Sequence, residues 1–221
     1  AREVVPEDVL LVAGTGAEST RATIRRNAEA AELGADAVLV QPPAFYRGAM
    51  TPERLREHYL AVADASPVPV ILYQVPLRFS TVEFETGLVA ELAGHERIVG
   101  MKDSRGDLGL LGQVVTATRS SPGGFQLLVG TGAKLYAALE LGAVGGILGV
   151  ANLVPGACAG IVAAHARGDG AAAGRLQEQV APLHDGIVGA LGVAGVKAGL
   201  DLLGMRGGSP RPPLTPLAQA G

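Results

Sequence analysis

Short apolar runs rich in β-branched residues recur along this chain, and the first five are separated by roughly thirty residues. Most of the gaps between them hold a segment with the hydrophobic periodicity of an amphipathic helix. Strands that are continuously apolar, and that alternate with helices, are typical of βα units whose parallel sheet is covered on both faces. The predicted strands are residues 9–13, 38–41, 68–73, 98–102, 126–130 and 145–149, and the predicted helices include 19–33, 52–65, 83–93 and 108–119.

This pattern fits two α/β architectures, an open doubly wound sheet and a closed barrel. An open dinucleotide-binding sheet requires G-x-G-x-x-G after the first strand, but Ser19 occupies the third glycine position after Gly14 and Gly16. A closed barrel needs eight strands and about 250 residues. We therefore predict an α/β (β/α)8 TIM barrel that lacks its first two βα units in this chain, with two open sheet edges. Barrel units three to eight are assigned to residues 1–167, and a C-terminal helical extension to 168–221 with helices near 171–184 and 186–204.

The composition excludes several classes of function. The net charge of −3 and the aromatic content of 4% argue against a nucleic-acid partner. Cys158 is the single cysteine, so no disulfide can form within the chain, and we expect a cytoplasmic protein. Residues 141–164 carry no charge, but their glycines, with Asn152 and Pro155, predict a buried strand, a turn and a small-residue helix rather than a membrane span.

Lys102 is the residue that most suggests chemistry. It ends an apolar run in a chain that has three lysines and fifteen arginines. A desolvated lysine can lose its proton and attack a carbonyl carbon, whereas a guanidinium stays charged. The alternative is an ordinary surface lysine at a strand end.

Tyr73 ends the strand before the one that carries Lys102. Active-site groups of barrels gather where the strands end, and consecutive strands are normally neighbours. A phenol beside an amine can relay the protons that Schiff-base formation moves. The alternative is a core tyrosine whose hydroxyl is satisfied at the strand end.

Two segments make the chain similar to a known family. Residues 72–76 read Leu-Tyr-Gln-Val-Pro, and residues 98–104 read Ile-Val-Gly-Met-Lys-Asp-Ser. Together they resemble the dihydrodipicolinate synthase/N-acetylneuraminate lyase family, whose members are Schiff-base-forming (class I) pyruvate aldolases with a (β/α)8 barrel. The likeness runs over the whole chain and is greatest to 4-hydroxy-2-oxoglutarate aldolase.

The resemblance implies a role for each matching residue. Lys102 corresponds to the Schiff-base lysine, and Tyr73 to the tyrosine that protonates and positions the keto acid. Tyr46 corresponds to the second tyrosine of an aromatic pair that reaches into a neighbouring subunit's site, which implies a homodimer or homotetramer. The implied substrate-binding residues are Ser104, Ile147, Gly130 and Arg78.

The reaction that the resemblance implies is cleavage or formation of the C–C bond next to pyruvate. No cofactor and no metal is expected, because the iminium is itself the electrophile and the four histidines show no ligand spacing. The family's carboxylate-binding Gly-[Ser/Thr]-[Ser/Thr]-Gly-Glu loop has no match before Val9, so we expect it upstream.

The substrate remains open between several candidates. We favour 4-hydroxy-2-oxoglutarate, with 4-hydroxy-tetrahydrodipicolinate synthase (pyruvate plus aspartate semialdehyde) as an alternative. Arg78 matches an arginine at the site entrance of that synthase, which the favoured aldolase generally lacks. Two further alternatives are a catalytically inactive ligand-binding barrel and a phosphate-binding barrel, the latter suggested by the glycines at 130–132 and 145–146.

Overall fold

The computed structural model describes residues 1–218 of the chain. These divide into two compact units, residues 1–128 and a second unit that begins at Val129. The boundary falls inside the fifth strand. The assignment of residues 1–167 to a barrel and 168–221 to an extension stays a prediction.

Six strands form one sheet in which spatial order follows chain order. The first three neighbouring pairs are parallel. The α/β class with a parallel sheet is thereby confirmed, and every predicted strand overlaps an observed one; the sheet has six strands, and its completion to a barrel stays a prediction. The strands are β1 (Val12–Gly14), β2 (Ala37–Val40), β3 (Val70–Gln74), β4 (Ile98–Asp103), β5 (Gln126–Val129) and β6 (Gly145–Gly146).

Local sequence signals set the helices of the first unit. Thr51 caps one helix by accepting a hydrogen bond from the Arg54 amide, and Pro52 occupies the first turn, where its missing N–H costs nothing. Gly34 ends another with φ 84°, a conformation that favours glycine. The helices are α1 (Thr20–Glu32), α2 (Pro52–Ala65), α3 (Thr86–Leu92) and α4 (Leu108–Thr118), close to the predicted bounds.

The second unit is mainly helical. The charge-free stretch contains β6, a 3-10 turn at Gly149–Asn152 and a helix that begins at Pro155, as predicted. No helix within residues 1–218 is long and apolar enough to cross a membrane. The helices are α5 (Leu135–Glu140), α6 (Pro155–Ala166), α7 (Gly170–Leu183) and α8 (Ala190–Leu202), with a π-helical turn at His184–Gly189 between the last two.

Strands β3 and β4 are paired with one irregularity of register. Val70 pairs with Ile98, but Ile71 pairs with Gly100, so Val99 is an extra residue on β4. Successive side chains of a strand point to opposite faces, so one extra residue reverses the face of everything after it. Because of this shift, Tyr73 lies opposite Lys102 rather than opposite Met101.

The core of the first unit is organised around Tyr59 of α2. Its side chain is fully buried, and its hydroxyl donates a hydrogen bond of 3.0 Å to the carbonyl of Val40 in β2. Its ring contacts those of Phe84 and His58, at centroid distances of 5.2 and 5.0 Å. Burial raises the pKa of the Tyr59 hydroxyl well above 10, so it stays a donor.

Removing the Tyr59 hydroxyl tests how much its hydrogen bond contributes to holding α2 against β2. Tyr59→Phe removes this hydrogen bond to the buried Val40 carbonyl, so we expect the free energy of unfolding to fall by about 1 kcal/mol in urea denaturation. Tyr46→Phe is the matched control, because Tyr46 is 68% exposed and its substitution should change the stability by less than about 0.5 kcal/mol. Equal effects of the two substitutions would contradict this account.

Candidate active site

Lys102 and Tyr73 face each other at the ends of neighbouring strands. They are register partners on β4 and β3, and the Lys102 Nζ lies 4.3 Å from the centroid of the Tyr73 ring. Both side chains are half-buried. The two residues that the sequence identified as a reactive pair are therefore in direct contact.

Burial tunes the Lys102 amine. Desolvation lowers the pKa of Lys102 below its ordinary value, because the charged form is penalised away from water. The ring face of Tyr73 attracts the charged ammonium form, whereas burial favours the neutral amine. The effect of burial is the larger of the two, so the pKa of Lys102 falls. A lowered pKa increases the fraction of Lys102 able to act as a nucleophile near neutral pH.

The residues next to this pair are polar and buried. Gln74 follows Tyr73 and is fully buried, and its register partner Asp103 follows Lys102 and is 2% exposed. By strand alternation their side chains lie on the opposite face of the sheet from the reactive pair. The Ser104 amide extends the pairing by donating to the Gln74 carbonyl at 2.9 Å. The pairing of β3 with β4 therefore continues beyond the two catalytic candidates.

Gly100 shapes β4 just before Lys102. A Cβ at this position would clash with the carbonyl oxygen of Gln126 at the start of β5. Glycine is required because the backbone of β5 approaches β4 this closely. The Gly-Met-Lys sequence therefore has a packing reason as well as a chemical one.

Tyr46 lies on the loop after β2. It is 68% exposed and stacks edge-on against Phe45, with 4.9 Å between ring centroids. The Glu18 carboxylate fixes this loop by accepting hydrogen bonds from the amides of Ala44 and Phe45, both at 2.9 Å. Glu18, to which no role was assigned from the sequence, is thus the anchor of the aromatic pair.

Arg78 lies on the loop after β3. Its guanidinium stacks on the ring of Phe79, 4.7 Å from the centroid, and both residues are exposed. A hydrogen bond of 3.4 Å from Arg47 to the Thr81 hydroxyl joins this loop to the Tyr46 loop. Tyr46 and Arg78 are therefore carried by two linked loops at the carboxyl ends of neighbouring strands.

Gly130 and Ile147 belong to the second unit. Gly130 follows β5, and Ile147 follows β6 and donates its amide to the Val129 carbonyl at 3.0 Å. The loop after Gly130 is held by His184, whose Nε2 lies 3.0 Å from the Thr131 hydroxyl and whose Nδ1 accepts from the Gly132 amide at 3.3 Å. His184 therefore has a structural role in this unit.

Arg105 is the feature near the site that sequence reasoning missed. Its side chain is 4% exposed and forms an ion pair with Asp103. The sequence offers only one weak signal for it, an acid and an arginine two residues apart after a strand. Within residues 1–218, no group of three or more histidine, cysteine, aspartate or glutamate residues could hold a metal ion.

A parallel α/β sheet with a partly desolvated lysine against a tyrosine at the strand ends is the arrangement of a Schiff-base carbon–carbon lyase. Comparison with known proteins gives the family. The model of the dihydrodipicolinate synthetase family matches residues 1–221, and the chain belongs to that family. The chain is accordingly a carbon–carbon lyase of the class I aldolase type.

Similar proteins cover nearly all of this chain. The 4-hydroxy-tetrahydrodipicolinate synthase of Rhodospirillum centenum is 38% identical over 218 residues, which are 99% of this chain and 73% of that protein. The enzyme of the same name from Exiguobacterium sp. is 34% identical over 218 residues, which are 99% of this chain and 72% of that protein. Among solved structures, the dihydrodipicolinate synthase of Acinetobacter baumannii complexed with pyruvate has a TM-score of 0.88 and 34% identity, covering 96% of this chain and 71% of that one.

These names change the ranking of substrates. The sequence favoured 4-hydroxy-2-oxoglutarate aldolase, but the similar proteins named above are 4-hydroxy-tetrahydrodipicolinate synthases. The class of reaction predicted from Lys102 and Tyr73 is confirmed, while the comparisons support the alternative substrate pair over the favoured one. The difference has a physical cause, since specificity depends on a few loop contacts that the strand pattern does not determine.

The lowered pKa of Lys102 makes a prediction about stability. The unfolded chain binds more protons than the folded one between the lowered pKa of Lys102 and its ordinary value of 10.5, so this residue makes stability rise with pH through that window. Lys102→Met removes the cost of charging a buried amine. We expect the variant's gain in free energy of unfolding over the unsubstituted protein to be largest at pH 7 and to shrink as the pH approaches 10.5.

Urea denaturation of both proteins between pH 7 and 10 measures this difference. The other titrating groups are common to the two proteins and cancel in the comparison. A difference that stays constant over the whole range would show that Lys102 titrates as an ordinary exposed lysine.

Proposed function

We propose that this chain is a 4-hydroxy-tetrahydrodipicolinate synthase, which condenses pyruvate with aspartate semialdehyde through a Schiff base on Lys102. The observation that carries the proposal is the half-buried Lys102 amine against the Tyr73 ring, 4.3 Å from its centroid, on adjacent strand ends. Desolvation supplies the neutral amine, and the phenol supplies a proton relay beside it.

The proposed reaction begins at the keto carbon of pyruvate. The neutral Lys102 amine attacks this carbon, and the carbinolamine loses water as Tyr73 transfers a proton to the departing hydroxyl. The resulting iminium withdraws electrons, so a C3 proton leaves and an enamine forms. The enamine carbon then attacks the aldehyde carbon of aspartate semialdehyde, which makes the new C–C bond and regenerates an iminium, while the aldehyde oxygen takes up a proton and becomes a hydroxyl. The semialdehyde's own amino group displaces Lys102 from that iminium, closing the ring and freeing the lysine.

Two observations support aspartate semialdehyde as the second substrate. The names of the similar proteins favour the synthase. Arg78, which is exposed, also favours it, because it corresponds to the arginine at the site entrance of that synthase, which the hydroxy-oxoglutarate enzyme generally lacks. Ser104, two residues after the lysine, matches the hydroxy-oxoglutarate enzyme and favours 4-hydroxy-2-oxoglutarate instead, and that reaction is the second candidate.

The remaining residues have proposed roles that follow from the family resemblance. Ser104, Gly130 and Ile147 contact the bound keto acid, and Arg78 binds the carboxylate of the aldehyde. Tyr46 contributes to the site of a neighbouring copy, so the protein is a homodimer or homotetramer. The 68% exposure of Tyr46 supports this role, because an aromatic ring of this size is otherwise left in water.

Trapping with borohydride tests the nucleophile. With pyruvate present, reduction should add one pyruvyl group to the peptide that contains Lys102, and mass spectrometry should find Lys134 and Lys197 unmodified. Lys102→Arg should abolish the adduct, because a guanidinium does not form the imine. An adduct of undiminished yield in the variant would refute Lys102 as the Schiff-base residue.

Two assays on one preparation separate the substrate candidates. We expect condensation of pyruvate with aspartate semialdehyde to have a kcat/KM at least about tenfold higher than release of pyruvate from 4-hydroxy-2-oxoglutarate, because Arg78 corresponds to the entrance arginine of the synthase, which the hydroxy-oxoglutarate enzyme generally lacks. Arg78→Gln should lower the condensation rate more than the release rate. The reverse order of the two activities would return the assignment to the hydroxy-oxoglutarate enzyme.

A further inference from the structure

The loop after β3 is closed at its base by Gln74. This fully buried amide donates to the carbonyls of Val75 and Val82, at 3.1 and 3.2 Å, and accepts from the amide of Phe84 at 2.8 Å. All three bonds go to the two ends of the loop, residues 75–84. The loop base is therefore fixed to the residue that immediately follows Tyr73.

A buried arginine adds a second attachment. The Asp103 carboxylate accepts from the Arg105 amide at 2.8 Å, from its Nε at 3.1 and 3.2 Å and from its Nη2 at 2.5 Å. The remaining terminal nitrogen, Nη1, lies 3.7 Å from a carboxylate oxygen of Glu83. The guanidinium thus lies between the end of β4 and the loop after β3.

These contacts leave the Arg105 guanidinium unavailable for binding a substrate. Its side chain is only 4% exposed, and three of its guanidinium contacts are made to Asp103. A planar fork that makes parallel bonds to one carboxylate cannot be replaced by the point charge of a lysine. Arg105 therefore holds other groups in place rather than binding a ligand itself.

The segment between these attachments contains the residues that face solvent. Leu77, Arg78 and Phe79 are exposed at the tip, and the Phe79 amide donates to the Pro76 carbonyl at 2.8 Å to form a turn. The position of Arg78 is consequently set by how firmly both ends of the loop are held.

We propose that Arg105 is a positioning residue for the second substrate, which fixes the loop of residues 75–84 through Glu83 so that Arg78 meets the carboxylate of the aldehyde in one orientation. The inference rests on the proposed function in one respect, the role of Arg78. It predicts that weakening the Arg105–Glu83 contact raises the KM for the aldehyde while leaving the pyruvate step intact.

Kinetics of the full chain test the proposal. Glu83→Gln should raise the KM for aspartate semialdehyde about threefold, and Arg105→Lys about tenfold. The KM for pyruvate and the yield of the borohydride adduct should change less than twofold. Because Glu83 acts through its contact with Arg105, the double variant should be no worse than Arg105→Lys alone. Glu85→Gln is the matched control, since it makes the same charge change two residues along at an exposed side chain that forms no capping bond.

Limited trypsin digestion gives a readout that does not depend on activity. Cleavage after Arg78 requires the loop to open, so Glu83→Gln and Arg105→Lys should speed it about threefold or more relative to the unsubstituted protein and to Glu85→Gln.

Equal cleavage rates in all four proteins would overturn the positioning role. So would a loss of the pyruvate adduct in the same variants whose KM for the aldehyde rises. Absence of any pyruvate adduct in the unsubstituted protein would instead overturn the proposed function, and faster cleavage in the two variants would still show that Arg105 fixes the loop.

Discussion

The pairing of β3 with β4 is the constraint on which the candidate site depends. One extra residue, Val99, shifts the register so that Tyr73 lies opposite Lys102 and Gln74 opposite Asp103. Without it, Lys102 and Tyr73 would not share a register position, and by alternation their side chains would point to opposite faces. The contact between the Lys102 amine and the Tyr73 ring therefore depends first on how the two backbones pair.

Because of this register, the strand ends carry Lys102 and Tyr73 on one face of the sheet and Gln74 and Asp103 on the other. On one face the reactive pair is half-buried, so Lys102 is desolvated enough for its pKa to fall while remaining accessible to a small keto acid. On the other face Gln74 and Asp103 are almost wholly buried, and their hydrogen bonds fix the backbone beyond the strands. On the same two strands, one pair of residues is therefore placed to react, and the next pair holds the backbone in position.

The sequence predicted those features that follow from periodicity. Apolar runs marked all six strands, and the position of Lys102 and Tyr73 at consecutive strand ends predicted their contact, because parallel neighbours end at the same edge. The extra residue at Val99 was not predictable, since an apolar residue within an apolar run gives no sign of a shifted register. Arg105 was missed because a buried arginine has the same sequence appearance as a solvated one. The substrate pair ranked first from the sequence is not the one that the comparisons favour, because specificity depends on loop contacts.

The scarcity of lysine has a consequence for how the protein can be studied and modified. Arginine side chains do not react with reagents directed at amines, so such a reagent meets only Lys102, Lys134, Lys197 and the chain terminus. The ammonium of Lys197 is engaged with the carbonyl of Gly207 at 2.5 Å, whereas burial enriches Lys102 in its free-base form. At a given pH the free-base fraction of Lys102 is therefore larger than that of an ordinary lysine, so an inhibitor that captures an amine can be directed at this strand end.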